Sequence, residues 1–227
     1  MRRIIEGFLH FRRHVRPSLA ALFETLAEGQ SPGVLLVACS DSRVVPNRII
    51  SSDPGEVFEV RTVGNLIAPA AAGGLSVADH SEACAIEYAV GVLGVRDVVV
   101  MGHSRCGAMK AFLHGADASE APNLAKWLAH AAPSKDKLAA LAPSTGLDEV
   151  DRLSQANVLA QLDHIATYPV VQAARDRRGL DLHGTWLDVR TGDLHLHDPE
   201  QQAFVMLDET EGARRLTAFS VARVSET

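Results

Sequence analysis

Val34-Leu35-Leu36-Val37-Ala38-Cys39-Ser40-Asp41-Ser42-Arg43 is the stretch that decides the fold. Its first five residues are uniformly apolar and short, which is the signature of a strand covered on both faces, as in a parallel sheet flanked by helices. A soft metal ligand follows at once, then polar and charged residues. The pattern recurs where Val98-Val99-Val100-Met101-Gly102 runs into His103-Ser104-Arg105-Cys106. Strands of such a sheet finish along one edge, and sites assemble at that edge. Cys39, His103 and Cys106 are therefore expected to meet. Two thiolates and one imidazole with a fourth position left to water form a catalytic zinc set, whereas structural zinc takes four protein ligands.

Working outward, Val57 to Arg61 is a third strand of similar character, and the three runs together are expected to form the sheet's centre. Ser76 to Leu93 has a helical pattern with Ala78, Ala83, Ile86, Ala89, Val90 and Leu93 available for burial and Gly94 as its stop. It supplies a strand, helix, strand crossover, right-handed by default. Pro17 opens a helix to about Glu28, ahead of Gly29. The basic segment Met1 to Arg16 carries Ile4, Ile5, Phe8, Leu9 and Phe11; without a continuous apolar core or a cleavage site, it reads as an arm packed on the protein or a partner subunit. Helical pieces interrupted by Pro133 cover residues 121–141, and a long helical region broken near Tyr168-Pro169 covers 147–178; both read mainly as support. Asp181 to Val189 and Leu194 to His197 flank Arg190-Thr191-Gly192-Asp193 as an edge hairpin. The expected fold is α/β, a mostly parallel central sheet flanked by helices, with an N-terminal helical arm over 1–30, antiparallel edge strands, and one zinc-binding catalytic domain over 31–227.

A net charge of −6 argues against general nucleic-acid affinity, which needs a basic footprint. Three cysteines make a poor disulfide framework for 227 residues, so a reducing, cytoplasmic setting is expected. No apolar stretch reaches the ~18 residues needed to span a bilayer, so no transmembrane segment is expected.

In an extended Cys39 to Arg43, residues two apart share a face, which aligns a metal ligand, an acceptor and a cation. Asp41 beside an acidified water can accept its hydrogen bond while Arg43 keeps the carboxylate ionised, an arrangement suited to attack on a small carbonyl-like carbon. The plainer alternative is an ordinary ion pair stabilising a loop. Cys84, the remaining thiol, falls within the helical pattern and is expected to be buried rather than a fourth ligand. Asp41 itself is another candidate to close the shell. His195 and His197 read as the solvated face of the hairpin. No dinucleotide fingerprint, Walker sequence or tyrosine-phosphatase cradle is present.

From Gln30 to about Val189 the chain resembles the β-class carbonic anhydrases. The resemblance implies that Cys39, His103 and Cys106 bind one Zn2+ per subunit and that Asp41 and Arg43 form the dyad beside the catalytic water. It implies substrate-binding roles for Gln30, for Phe58, Val63 and Tyr88 as apolar lining, and for Gly107, whose backbone lies near the metal. One branch of that family has an inhibitory bicarbonate site built from a tryptophan, an arginine and a tyrosine. Here only Arg61 survives, with Leu36 and Leu187 at the other positions, so the open zinc-water branch is expected. Thr62 and Ala108 depart from the residues usual in the family. The resemblance further implies a homodimer or dimer of dimers that exchanges N-terminal helices, and pockets to which Gln30, Phe58 and Tyr88 come from the neighbouring subunit. The expected activity is reversible hydration of carbon dioxide to bicarbonate and a proton. Carbonyl sulfide or carbon disulfide hydrolysis on the same scaffold is the near alternative, and a noncatalytic bicarbonate-binding module with structural zinc the distant one.

Overall fold

The computed structural model describes residues 1–224, with side chains to residue 218; positions 225–227 of the expected catalytic domain lie outside the described residues. In chain order the elements begin with α1 (Arg2–His10) and α2 (Ala20–Ala27), joined by tighter and wider helical turns through Arg16-Pro17. The sheet strands are β1 (Val34–Cys39), β2 (Val57–Thr62), β3 (Asp97–His103), β4 (Asp181–Leu187), β5 (Leu194–Asp198) and β6 (Ala203–Met206). Between them lie α3 (Pro46–Ile49), α4 (Ser81–Glu87), α5 (Gly107–His114), α6 (Pro122–Leu128), α7 (Ser134–Ala140), α8 (Glu149–Ala166) and α9 (Pro169–Arg178), with α10 (Glu209–Val224) last.

The six strands form one sheet in the order β2-β1-β3-β4-β5-β6. Its first four strands are parallel, and the β4-β5 and β5-β6 pairs are antiparallel. β1 and β3 are neighbours with Ala38 opposite Met101, so their C-terminal ends bring Cys39 and His103 side by side. The mostly parallel sheet, flanking helices, N-terminal arm and edge hairpin agree with the sequence reading.

Several local expectations change. β2 is not central: it forms the outer edge of the sheet, and its residues are mostly half-buried because Glu59 and Arg61 occupy one of its faces. The helix expected from Ser76 begins at Ser81, where Asp79 Oδ1 accepts the Ser81 N–H, and Ser76 instead bridges Ala70. Cys84 is exposed rather than buried, since Glu82, Ala83 and Ile86 form the inward face of α4. His195 and His197 are half-buried rather than solvated. The His195 ring meets Trp186 edge-on at 5.5 Å and the His197 ring lies 5.3 Å from Phe204. β6 and α10 are additional to the elements that the sequence pattern predicts.

Leu35, Val37, Val98, Val100, Ile86 and Val158 belong to the main apolar cluster, and α8 presses its middle against β3. Gly102 permits that approach: a Cβ there would lie 2.6 Å from Val158 Cγ2. Asp148 caps α8 by accepting the Asp151 N–H. At the other extreme, α1 buries no residue, and Ile4, Ile5 and Phe8 are 69%, 52% and 60% exposed. No described helix is long and apolar enough to cross a membrane.

Candidate metal centre

Cys39 ends β1, His103 ends β3, and Cys106 is the residue on which α5 starts. All three are buried, and their ligand atoms lie within 4.8 Å of one another. His103 Nδ1 is 2.9 Å from the Ser104 carbonyl, which can only accept, so Nδ1 carries the proton and Nε2 presents a lone pair. That Nε2 is buried with no protein partner. Hydrogen bonding from Cys106, aided by His103, holds the Cys39 thiol well below the ordinary thiol range despite burial. Giving up that bond, burial and the adjacent thiolate push Cys106 far above the ordinary thiol range. An orphaned imidazole nitrogen facing two buried sulfurs, with ligand atoms within 4.8 Å of one another, is what a divalent cation with Cys2His ligands would satisfy, so the donor set fits zinc.

Asp41 lies beside this cluster in the fork of Arg43. Arg43 Nε donates to Oδ1 at 2.9 Å, Nη2 to Oδ2 at 2.6 Å, and the Arg43 backbone N–H also reaches Oδ1. These bonds hold the carboxyl well below the usual carboxylate range, making it an acceptor. Its Oδ2 is 3.9 Å from His103 Nε2. Arg61 braces the same loop by donating to the carbonyls of Cys39 and Val44, both at 2.7 Å from Nη2. Leu36 and Leu187 are packed in an apolar cluster with Val44 and Met101, so the Arg61 guanidinium is engaged with backbone oxygens.

Most of the remaining support comes from α8, in line with the supporting role expected of this region, and it is specific: the helix bonds the peptides around the cluster. Polar residues at Asp151, Ser154, Asn157, Gln161 and His164 follow helical spacing and are all buried. Asp151 accepts the Arg105 N–H, Ser154 Oγ donates to the His103 carbonyl, and Asn157 Nδ2 donates to the Gly64 carbonyl. Gln161 accepts the Ile67 N–H, and His164 Nδ1 bonds the Ile67 carbonyl. Gly64, at φ +74°, in turn donates its N–H to Cys39 Sγ at 3.3 Å. Arg105, between His103 and Cys106, is held at φ +54°, a left-handed conformation that costs a side-chain-bearing residue about 1–3 kcal/mol. The signal for this stripe was a buried-helix pattern interrupted by small polar residues three and four apart.

Of the other residues singled out from sequence, Val63 and Gly107 lie beside the cluster. Val63 precedes Gly64 and accepts Trp127 Nε1–H, and no atom lies within 4 Å of a Cβ built on Gly107. Val63, Trp127, Glu82 and His130 also line a cleft of about 820 Å3. Gln30, Phe58 and Tyr88 are not brought there. Phe58 pairs with Leu35 near the start of β1, roughly 13 Å of strand away from Cys39, and its ring is 6.0 Å from that of Tyr88. Gln30 lies before β1 in a groove with Leu26 and Gly55. A second group with ligand atoms in reach of one another, Asp97, Asp181 and His183, sits at this same far edge, where His183 pairs with Asp97 at 3.0 Å.

Comparison with known proteins is consistent across sequence and structure. Residues 34–194 match the family model described as carbonic anhydrase. A carbonic anhydrase of Pseudomonas aeruginosa is 40% identical over 209 residues, covering 92% of this chain and 93% of the relative. The structure of the β-carbonic anhydrase CcaA superposes with a TM-score of 0.81 at 34% identity, covering 92% of each chain. A tetrameric β-carbonic anhydrase of Sordaria macrospora has a TM-score of 0.72 at 28% identity, covering 86% of this chain and 95% of its own.

Proposed function

Because the chain belongs to the β-class carbonic anhydrase family, we propose that it catalyses the zinc-dependent, reversible hydration of carbon dioxide to bicarbonate and a proton. The observation that carries this reading is the buried Cys39, His103, Cys106 triad, with an orphaned imidazole nitrogen next to an ionised Asp41. Cys39, His103 and Cys106 would hold Zn2+, one per subunit, and the ion would supply Lewis acidity that brings a water's pKa toward neutrality.

The chain's own side chains do the orienting. Asp41, kept ionised and unable to donate, accepts a hydrogen bond from the attacking water and turns a lone pair toward the carbon of carbon dioxide. Arg43 fixes the carboxylate at both oxygens, leaving little rotational freedom. Val63 offers apolar surface to a substrate with few hydrogen-bonding handles, and Gly107, the first residue of the helix that follows Cys106, would offer its backbone N–H to the developing oxyanion. Gln30, Phe58 and Tyr88 serve the centre of a second copy, because in their own chain they stand at the other edge of the sheet. The exposed apolar face of α1 supports a homodimer or a pair of dimers, in keeping with a tetrameric relative. Three free cysteines suit a reducing, cytoplasmic setting.

The test is metal analysis of purified protein combined with stopped-flow hydration. One zinc per chain and hydration far above the buffer rate are expected. Zinc-loaded protein that hydrates carbon dioxide no faster than buffer, yet hydrolyses carbonyl sulfide or carbon disulfide, would move the assignment to those substrates. Protein inert toward all three would leave a bicarbonate-binding module.

A further inference from the structure

We propose that Asp151 is a positioning residue for the metal loop and the Asp41–Arg43 dyad together, acting through the Arg105 peptide. Arg105 lies between His103 and Cys106, and its left-handed backbone makes the turn that brings the start of α5 back toward the end of β3. A residue with a side chain does not hold that conformation unaided. Two contacts determine its peptide groups: the N–H is bonded to the buried Asp151 carboxylate, and the carbonyl accepts Arg43 Nη2 at 3.0 Å. The same Nη2 donates to Asp41 Oδ2 at 2.6 Å. One short path therefore runs from Asp151 through the Arg105 backbone to the guanidinium that orients Asp41, and the same peptide sets the spacing of two ligands.

Asp151 is placed for this work by its own helix. It stands in the first turn of α8, where the Asp148 cap takes its backbone N–H, and Ser154 one turn later holds the His103 carbonyl at 2.7 Å. Ser104, between them, is tied on its other side: its N–H bonds the Leu187 carbonyl and its hydroxyl bonds Asp188 at 3.0 Å. With Ser104 anchored to the end of β4 and to Asp188 just beyond it, Asp151 controls the one remaining residue of the loop whose backbone conformation is intrinsically unfavourable.

The inference rests on the reading of Cys39, His103 and Cys106 as zinc ligands, and the experiment separates the two. Wild-type, Asp151→Ala, Asp151→Asn and Asp151→Ala/Arg105→Gly proteins are compared by zinc release to a chelator, by the absorption spectrum of the cobalt-substituted protein, and by hydration kinetics. Asp151→Ala is expected to release zinc roughly 10- to 100-fold faster, to alter the cobalt bands, and to lower kcat and kcat/KM together by a similar factor. Asn retains an acceptor oxygen and restores all three readouts. Glycine at 105 adopts positive φ without the pin and recovers most of the loss. An Asp151→Ala protein with wild-type zinc release and cobalt spectrum overturns the assignment, as does an Asn variant as impaired as Ala, or a glycine that rescues nothing. If Asp151→Ala does not fold, the double variant decides: folded protein with near-wild-type zinc release upholds the proposal, and failure to fold ends it. Wild-type protein that takes up neither zinc nor cobalt would remove the underlying metal reading instead.

Discussion

At the scale of the residue, the chemistry depends on side chains whose alternatives are electrostatically poor. Asp41 is fixed by two bonds from one guanidinium, so its removal subtracts an acceptor without touching a proposed ligand. Asp41→Ala is expected to keep its zinc and lose hydration rate by about 10²-fold, the scale of a missing acid–base or orienting group, with retained metal content as the check. Cys39→Ser and His103→Ala are expected to lose zinc and activity together; either variant retaining one zinc per chain at full rate would refute the ligand set. Gly64 makes a different point. A Cβ there would lie 2.8 Å from the Ala108 Cβ, at a φ of +74° that side chains disfavour. Gly64→Ala should cost about 1–3 kcal/mol in urea unfolding and weaken zinc retention, because the peptide that donates to Cys39 Sγ must move.

At the scale of the element, α8 is the frame on which two loops are hung. Its partners in the 64–67 segment are Asn157, Gln161 and His164, and in the 103–105 segment Asp151 and Ser154. Asn157 bonds Gly64, Ser134 and Gln161 at once, so Asn157→Ala removes the partner of the Gly64 carbonyl and the Ser134 hydroxyl and leaves Gln161 Nε2 only its bond to the His130 carbonyl; it should destabilise by about 2–3 kcal/mol in denaturant titration. His164 gives the helix a pH dependence. Burial lowers its pKa below the ordinary histidine value, so the folded state resists a proton that the unfolded chain accepts. Its contribution is intact above about pH 6.5 and declines as pH falls through that value toward the lower folded pKa. Urea midpoints measured from pH 7.5 to 5.5 should therefore drop less steeply for His164→Gln than for wild type; parallel slopes would show that His164 does not carry the effect. Burial raises Glu82 and Asp151 and so acts in the opposite sense, starting from their lower ordinary values.

At the scale of the whole molecule, a single chain holds Cys39, His103 and Cys106 at one edge of its sheet and Gln30 and Phe58 toward the other. In the proposed dimer a second copy covers the exposed Ile5 and Phe8 and supplies Gln30 and Phe58. Ile5→Asp/Phe8→Asp is thus expected to shift the protein to monomer in sedimentation and to lower hydration at unchanged zinc content; a fully active monomer would show that the site is complete in one chain. What the sequence determined unaided is what local geometry transmits. Short apolar runs specify buried strands, strand ends share an edge, and residues two apart share a face, which is enough to place Cys39, His103 and Cys106 together and Arg43 against Asp41. The tertiary structure decided the rest: that β2 is an edge, that Glu82 rather than Cys84 turns inward, that His195 and His197 lie partly covered, and that α8 rather than a loop holds the Arg105 and Gly64 peptides. These depend on which surface each element covers: the polar stripe of α8 is periodic in the sequence, but its partners at Arg105, Gly64 and Ile67 are 46 to 94 residues away, and the spacing within the helix does not say which peptides it will meet.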